Sequence, residues 1–522
     1  MNIVYLGHAG FLVETEKTVI IMDPWVSKFG AFDCSWFQFP CNHHMDGFII
    51  DKIKNTAKSV YLYISHEHKD HFDAAFLKRL NGMKFRYIIP EFRRTELFDL
   101  VSSLTDQEII LCGDNRKVCL NGEDEYVKIY TNDSELNRDS AILYACNGQK
   151  FFNMNDCKIS DRIETIKQEE GNIRAFACQF SGATWHPVCY DYPPKKYAQV
   201  STKKKLSKFE SVALAIERVA PDIYIPSAGP AVFLDPKLIE INFQPHNTFP
   251  RNPEVIKFLN KRLKTSKPML LDLVPGDSIG MGDVIDVAYT DKARVREAEF
   301  RNYVLNYASR YTALFEERIT AFSEDELSGI VRRLVHEFSD KLDNFPLRIK
   351  IQRPLYIEFH DYPDIRIKID FQSNHVGRTF EKPYGDYYMI KTYSYDIKRV
   401  LDGLLTWEDY ALTFRMQLNR EPDVYQVLMQ GFLLLEKEDM NHFCEKILSI
   451  QNRTERIVVE VGGCRYSVDR YCPHEGGDLK QAWSEEGRYL VCSRHRWYFD
   501  LEDGGICNTN SATINAIPLE EN

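Results

Sequence analysis

The sequence lacks the signals of a secreted or membrane-bound protein. Its first ten residues contain no positively charged segment followed by an apolar one, so we expect no signal peptide. No apolar run approaches the roughly 20 residues that a membrane-spanning helix needs, which argues against a membrane partner. The 13 cysteines show no disulfide-like spacing, and their odd number is typical of a reducing compartment. We therefore expect a cytoplasmic protein.

Excess basic charge, internal repeats and long low-complexity segments are also missing. Lysine and arginine total 66 against 76 acidic residues, and the resulting net charge of −10 argues against general nucleic-acid binding. What remains is a long chain of 522 residues, 44% of them hydrophobic. That length and composition predict two to four domains with substantial cores.

A cysteine–histidine pattern near the C-terminus carries the clearest chemistry. It reads Cys-x-His, 17 residues, then Cys-x-x-His, and consists of Cys472, His474, Cys492 and His495. Together with Gly476-Gly477 and the aromatic stretch after Arg496, it resembles the two loops that bind a Rieske [2Fe-2S] cluster. Such a cluster has two cysteines on one iron and two histidines on the other, and it transfers single electrons. A structural zinc site is the alternative, because two cysteines and two histidines also suit tetrahedral zinc.

A second group of metal ligands follows a predicted strand at Val60 to Ile64. The ligands have the spacing His-x-His-x-Asp-His and are His66, His68, Asp70 and His71. This spacing resembles the metal motif of the metallo-β-lactamase fold, in which the first two histidines hold one metal and the Asp-His pair holds a second. We assign the catalytic role to Asp70 and His71. A histidine-rich surface loop is the alternative interpretation.

The pattern along the chain predicts three parts and an α/β fold class. Short strands at Val4 to Leu6, Phe11 to Val13 and Val19 to Ile21, then strand–helix alternation, predict a metallo-β-lactamase-like αβ/βα sandwich. The predicted boundaries are residues 1–290 for this metal domain, 291–450 for a mixed, mostly helical region, and 451–522 for an all-β Rieske domain.

The combination of these two domains resembles the CMP-N-acetylneuraminate hydroxylase family of iron-dependent monooxygenases. Further similar segments lie outside the metal loops and cover most of the chain at intervals. They include Lys150 to Cys157, Gly403 to Tyr410 and Arg420 to Tyr425. A separate segment, Ile21-Met-Asp-Pro24, resembles metal hydrolases of the same fold. The resemblance implies Asp156 as a further metal ligand. It also implies a non-haem centre of one or two iron ions and dioxygen as co-substrate.

The chain departs from that family in two respects. The hydroxylases carry the Rieske domain at the N-terminus, whereas here it is C-terminal. By alignment, two family histidines fall near Glu135 and Asp235. As ligands, these carboxylates would suit iron, because hard oxygen donors with imidazoles are typical of oxygen-activating iron. The alternative is that both are ordinary loop acids.

These patterns predict an oxidoreductase of the Rieske-type iron monooxygenase class. It would hydroxylate a small metabolite at carbon or nitrogen, and the resemblance implies a nucleotide sugar as that substrate. It would need an external electron donor, namely a ferredoxin, a cytochrome b5-like protein or a flavin reductase. The alternatives are a metallo-β-lactamase-fold hydrolase with a regulatory Rieske domain and a redox sensor. The sequence leaves the oligomeric state open.

Three weaker features complete the prediction. His8 either approaches the metals or supports a loop. Glu475 and Asp478 either guide a redox partner or shape the contact between domains. Six lysines between Lys195 and Lys208 could attract a phosphate or carboxylate group, although a solvated helix face is the commoner explanation.

Overall fold

The computed structural model describes residues 1–182, 184–246, 248–290, 294–510 and 512–519. The first part of the chain forms strands and helices in alternation. Its elements are β1 (Asn2–Gly7), β2 (Gly10–Glu14), β3 (Thr18–Met22), β4 (Trp36–Phe37), α1 (Met45–Asn55), β5 (Ser59–Tyr63), α2 (Ala74–Arg79), β6 (Arg86–Pro90), α3 (Glu96–Leu104), β7 (Ile109–Cys112), β8 (Lys117–Cys119), β9 (Glu125–Asn132), β10 (Asp139–Cys146), β11 (Gln149–Asn153), α4 (Ile163–Glu170), β12 (Ala175–Gln179), α5 (Trp185–Val188), α6 (Pro194–Val219), β13 (Ile223–Ser227), β14 (Val232–Phe233), α7 (Asn252–Arg262), β15 (Met269–Leu270), β16 (Ser278–Met281) and β17 (Ile285–Ala288).

Two large sheets face each other in this part, as the sequence predicts. One has the order β17-β16-β1-β2-β3-β5-β6-β7 and the other the order β15-β13-β12-β11-β10-β9-β8. Apolar side chains from both sheets form a shared core, and helices cover each outer face. Strands such as β3, Thr-Val-Ile-Ile-Met, are buried along their whole length, because a sheet covered on both faces favours continuous apolar runs. The result is the αβ/βα sandwich.

The middle part is mostly helical, with a five-stranded sheet. Its elements are α8 (Phe300–Ala308), α9 (Thr312–Glu317), α10 (Glu324–Asp343), β18 (Leu355–Phe359), β19 (Arg366–Asp370), β20 (His375–Arg378), β21 (Tyr387–Thr392), α11 (Ser394–Leu401), α12 (Trp407–Leu412), β22 (Gln417–Glu421), α13 (Val427–Leu434) and α14 (Lys437–Gln451). The long α10 begins at a capping box of Ser323 and Glu326 and buries one apolar face. The sheet has the order β20-β19-β18-β21-β22.

This middle part shares a core with the sandwich. Trp25, Trp36 and Phe233 of the first part are buried in the same apolar cluster as α10 to α14. The indole Nε1 of Trp36 donates a hydrogen bond to the carbonyl of Leu412, at 2.8 Å. The middle part is therefore packed directly against the edge of the sandwich that carries the predicted metal loop.

The last part is all-β, as predicted. Its strands are β23 (Arg456–Val461), β24 (Cys464–Asp469), β25 (Trp483–Glu485), β26 (Tyr489–Val491), β27 (Tyr498–Asp500), β28 (Ile506–Cys507) and β29 (Ile517–Pro518). They form a three-stranded and a four-stranded sheet around a small core. Only residues 452–455 separate α14 from β23. Across the described ranges, no helix combines the length and apolarity needed to cross a membrane.

Candidate metal centres

Two tight loops bring the C-terminal cysteines and histidines together. The amide of Gly476 donates to the carbonyl of Cys472, and the amide of Arg496 donates to that of Cys492, at 2.9 and 2.7 Å. Gly476 has a φ of +74°, in the left-handed region that glycine tolerates. A Cβ on Gly477 would lie 3.2 Å from the sulfur of Cys492. The two glycines therefore allow the loops to close around the sulfurs.

The side chains in these loops fit a cluster with mixed ligands. The ligand atoms of Cys472, Cys492 and His495 lie within 4.8 Å of one another, and the rings of His474 and His495 lie 4.5 Å apart. The buried Nδ1 of His474 has no hydrogen-bond partner. The Nε2 atoms are held from outside, that of His474 by the hydroxyl of Tyr425 at 3.1 Å and that of His495 by Glu475 at 3.2 Å. This pattern leaves the Nδ1 atom of each histidine available to a metal, as is typical of ligands whose other ring nitrogen is held by a hydrogen bond.

The electrostatics of the two cysteine thiols also fit metal binding. A hydrogen bond from Cys472 lowers the pKa of Cys492 well below its usual range, whereas burial raises the pKa of Cys472. The thiolate is the form of cysteine that binds metal, and the lowered pKa of Cys492 favours that form.

The second centre lies at one edge of the sandwich. His66, His68, Asp70 and His71 follow β5, and Asp156 follows β11. The Nε2 of His66 and the Nδ1 of His68 approach to 2.8 Å. The Nε2 of His71 lies 3.5 Å from an oxygen of Asp156 and 3.8 Å from one of Asp70. The structure therefore brings together all five of these predicted ligands.

Several atoms at this edge are buried without a hydrogen-bond partner, which is costly unless a ligand satisfies them. They are His71 Nε2, Asp70 Oδ1 and Asp156 Oδ1. One group of ligand atoms within 4.8 Å consists of His66, His71 and Asp156, and a second consists of His8, Asp70 and His71. Two overlapping groups suit one or two metal ions, and the donor set of the first, two imidazoles and a carboxylate, is typical of non-haem iron oxygenases.

Acidic neighbours make this edge attractive to cations. Burial alone would lower the pKa of His71, but the charges of Asp156, Asp70 and Asp23 outweigh burial and hold that pKa well above its usual range. Asp23 also accepts hydrogen bonds from His71 Nδ1 at 2.9 Å and from the amide of Ser65 at 2.8 Å. Asp23 thereby orients the Nε2 of His71 toward the other ligands. His8 contacts Asp70 at 3.0 Å and so lies at the centre.

The structure adds two residues that the sequence analysis missed. Asp139, at the start of β10, is buried with an oxygen 3.0 Å from the Nδ1 of His66. Burial and the charge of Asp156 raise the pKa of Asp139 well above its usual range. Glu408 of α12 lies 3.3 Å from the Nε2 of His68. The sequence offered a signal for each residue. Glu408 belongs to Gly403 to Tyr410, a segment similar to the hydroxylase family. The weaker signal for Asp139 is its position directly before the apolar run of β10.

The structure corrects two predicted ligands. Glu135 accepts two hydrogen bonds from Arg93, at 3.1 and 2.7 Å, and Asp235 accepts one from Arg415 at 2.8 Å. Because arginines hold both carboxylates, neither joins the groups of ligand atoms found among the described residues. Asp139, four residues after Glu135, is the acid that β10 carries to the centre.

Comparisons with known proteins agree with these two centres. Residues 426–518 match the family model described as Rieske [2Fe-2S] domain, and residues 2–191 match the one described as Beta-lactamase superfamily domain. The chain joins a Rieske domain to a metallo-β-lactamase-like domain. The Rieske match favours the cluster over structural zinc, and it begins at α13, earlier than the boundary predicted at 451.

Relatives that match most of this chain do so at low identity. A Rieske 2Fe-2S iron-sulfur protein of Mycolicibacterium smegmatis is 25% identical over 98% of this chain and 98% of its own length. The cytidine monophosphate-N-acetylneuraminic acid hydroxylase of Macaca mulatta is 23% identical over 82% of this chain and 71% of its own length. Among solved structures, the metallo hydrolase Igni18 of Ignicoccus hospitalis matches 53% of this chain and 96% of its own, with 15% identity and a TM-score of 0.34.

The Rieske domain is docked on the metallo-β-lactamase-like domain through its cluster-binding loops. Arg494 forms two hydrogen bonds with Asp161, at 3.0 and 2.7 Å, and the amide of Asp478 donates to the same carboxylate at 3.0 Å. Buried Glu475 accepts from the amide nitrogen of Asn137 at 2.9 Å. The carboxylate of Glu475 and the backbone amide of Asp478 therefore lie in the contact between domains, whereas the carboxylate of Asp478 pairs with Arg470 of its own domain. Shaping this contact was one of the two roles considered for both acids, and it applies to the side chain of Glu475.

Proposed function

We propose that this chain is an oxygenase in which the Rieske domain passes electrons to non-haem iron in the metallo-β-lactamase-like domain, and that a small metabolite is hydroxylated at carbon or nitrogen. When bound, a [2Fe-2S] cluster supplies single electrons and non-haem iron reacts with dioxygen. The external donor would be a ferredoxin, a cytochrome b5-like protein or a flavin reductase.

A chain of contacts between the two centres, partly hydrogen bonds and partly backbone, carries this proposal. His495 contacts Glu475 at 3.2 Å, and Glu475 accepts from Asn137 at 2.9 Å. Asn137 lies two residues before Asp139, whose carboxylate is 3.0 Å from His66. Lys158, two residues after Asp156, also donates to Asn137. Glu475, Asn137 and the short backbone segment from Asn137 to Asp139 thus link a histidine of one centre to a histidine of the other.

The protein's own residues would perform three tasks in this reaction. Asp23 and Glu408 hold His71 and His68 in fixed orientations, and Asp70 and Asp156 supply negative charge toward the ion. Glu475 lies 3.2 Å from the Nε2 of His495 and would orient the other nitrogen of that ring toward the cluster. A hydrolase needs only a metal ion and its water, so this connection would add nothing to hydrolysis.

An isotope experiment tests the proposed function. Metal-loaded protein is reduced chemically, exposed to ¹⁸O-labelled dioxygen with a library of small metabolites, and the products are analysed by mass spectrometry. We expect a product that is heavier by one labelled oxygen atom and that forms only with reductant present. A product labelled only by ¹⁸O-water, formed without reductant, would identify the chain as a hydrolase.

Replacing the linking carboxylate should slow transfer between the centres. In Glu475→Gln the charge beside His495 is lost, and we expect the cluster to reoxidise about 10- to 100-fold more slowly, which is the usual cost of altering a residue that holds a metal ligand. Stopped-flow absorbance of the cluster after mixing with dioxygen measures this rate. Asp478→Asn, which alters the same loop at a side chain paired with Arg470, is the control. Equal rates in Glu475→Gln and the native chain would show that Glu475 is only structural.

A further inference from the structure

Four cationic side chains meet where the Rieske domain contacts the other domain. Lys158 comes from the loop after β11, Lys204 and Lys208 from α6, and Arg496 from the second cluster-binding loop. All four are half-buried. We call them the interdomain cation cluster.

These cations lack carboxylate partners. Lys204 donates to the carbonyl of His186 at 2.7 Å, Lys208 to the side-chain oxygen of Gln179 at 2.8 Å, and Lys158 to the side-chain oxygen of Asn137. The side chain of Arg496 forms no hydrogen bond or ion pair with any residue that the structure describes. Within those same ranges, none of the four forms an ion pair. Because a partly desolvated cation is costly without a partner, a negatively charged group would stabilise the charged forms of these four side chains.

Contacts place the cations in one neighbourhood. Gln179, which accepts from Lys208, donates its backbone amide to the carbonyl of Asn155 at 2.7 Å, in the loop that also carries Lys158. Lys203, the neighbour of Lys204 on α6, lies over the ring of Tyr498, two residues after Arg496.

The charges of these side chains also affect one another. Burial lowers the pKa of Lys208 to about 7, and the charges of Arg496 and Lys158 contribute in the same direction. Burial also lowers the pKa of Lys204 well below its usual range, with contributions from Arg496, Lys158 and Arg420. Side chains from three separate elements therefore lie close enough for their charges to interact.

The lysines of α6 divide into two sets by their partners. Lys196 pairs with Asp423, Lys205 pairs with Glu254, and Lys203 lies over the ring of Tyr498. Lys204 and Lys208, one helical turn apart and thus on one face, have no such partner. A solvated helix face explains the first set and does not explain the second.

The interdomain cation cluster adjoins both centres. Lys158 lies two residues after Asp156, and Arg496 directly follows His495. The carboxylates whose charges reach Lys158 are Glu475, Asp156 and Asp139. Glu475 is already held by His495 and Asn137, and the other two belong to the metal centre. A negatively charged ligand at these cations would thus lie beside the metal centre.

We propose that the interdomain cation cluster binds an oxyanion group, a phosphate or a carboxylate, of the substrate and so directs the rest of the molecule toward the metal centre. This inference rests on the proposed function, which supplies the reaction. It assigns the substrate to the class of small anionic metabolites. Lysine and arginine side chains on several elements are the donors that such groups commonly meet in proteins.

The test measures anion binding without turnover. Inorganic phosphate and acetate are titrated separately into protein loaded with cluster and metal, with isothermal titration calorimetry as the readout. We expect one saturable site for at least one anion, weakened about tenfold or more in Lys208→Gln and retained in Lys208→Arg, since each lost charge-assisted hydrogen bond is strong. Lys205→Gln, at a lysine of the same helix that is paired with Glu254, should bind as the native chain does. The anion that binds more tightly identifies the group.

A second readout uses the position of Arg496 beside His495. Bound phosphate adds negative charge near the cluster, so it should lower the reduction potential of the cluster, and Arg496→Gln should diminish that shift. Absence of saturable binding by both anions, or equal weakening in Lys205→Gln and Lys208→Gln, would overturn the proposal. Anion binding that persists in a protein showing no oxygen incorporation would overturn only the oxygenase function.

Discussion

Cys492→Ser should abolish oxygen-dependent turnover while metal remains in the metallo-β-lactamase-like domain. Cys492 is fully buried and its sulfur lies among the cluster ligands. Serine offers a poor ligand for a [2Fe-2S] cluster, so the source of single electrons is lost. We expect activity to fall by roughly three orders of magnitude or more, about 4 kcal/mol in the barrier. Product formation, metal content and the paramagnetic signal of the reduced cluster are measured on the same sample.

The matched control for this variant is Cys507→Ser. Cys507 is another buried cysteine of the Rieske domain, but its sulfur contacts Thr509 at 3.1 Å and it is not among the ligand groups of the described residues. Its replacement should leave the cluster signal and turnover close to native. Full activity in Cys492→Ser, with the cluster signal gone, would favour the hydrolase with a regulatory Rieske domain.

His71→Ala should remove metal from the sandwich and eliminate turnover without affecting the cluster. His71 is fully buried and belongs to both groups of ligand atoms at that centre. Its loss removes one imidazole from each group, which weakens metal binding by far more than the 10- to 100-fold typical of an outer residue. Metal analysis measures this loss, and visible absorbance reports the cluster.

The exposed His246 provides the control, because it lies 3.4 Å from Thr202 and belongs to none of the groups of ligand atoms found among the described residues. His246→Ala should keep native metal content and activity. Native metal content in His71→Ala would contradict the assigned ligand set. Simultaneous loss of the cluster from folded protein would contradict the view that the two centres belong to separate domains.

The sequence predicted the parts of both centres whose ligands are close together along the chain. Cys472 with His474, and His66 through His71, lie on single loops, so their spacing reflects their geometry. The sandwich was predictable for a related reason, since buried strands such as β3 and β5 are continuous apolar runs. The five-stranded sheet of the middle part was not predicted, because its strands are short and lie between helices.

Ligand contacts between distant elements could not be read from spacing. Asp139 and Glu408 reach the centre from β10 and α12, and ligand spacing does not distinguish them from Glu135 or Asp235. Both of the latter acids are buried as well, but arginines from other parts of the chain hold them. Which acid contacts a histidine of the metal centre and which contacts a guanidinium is decided by tertiary packing.

The short connection at residues 452–455 has a consequence for how electrons travel. A Rieske domain on a long tether could carry each electron by swinging between two docking positions. Here the connection is four residues long, and Arg494, Asp478 and Glu475 are all engaged with the neighbouring domain. The cluster is therefore a stationary relay, and the only moving carrier in the proposed reaction is the external donor. Solvent viscosity would slow the arrival of that donor and leave the internal step unchanged.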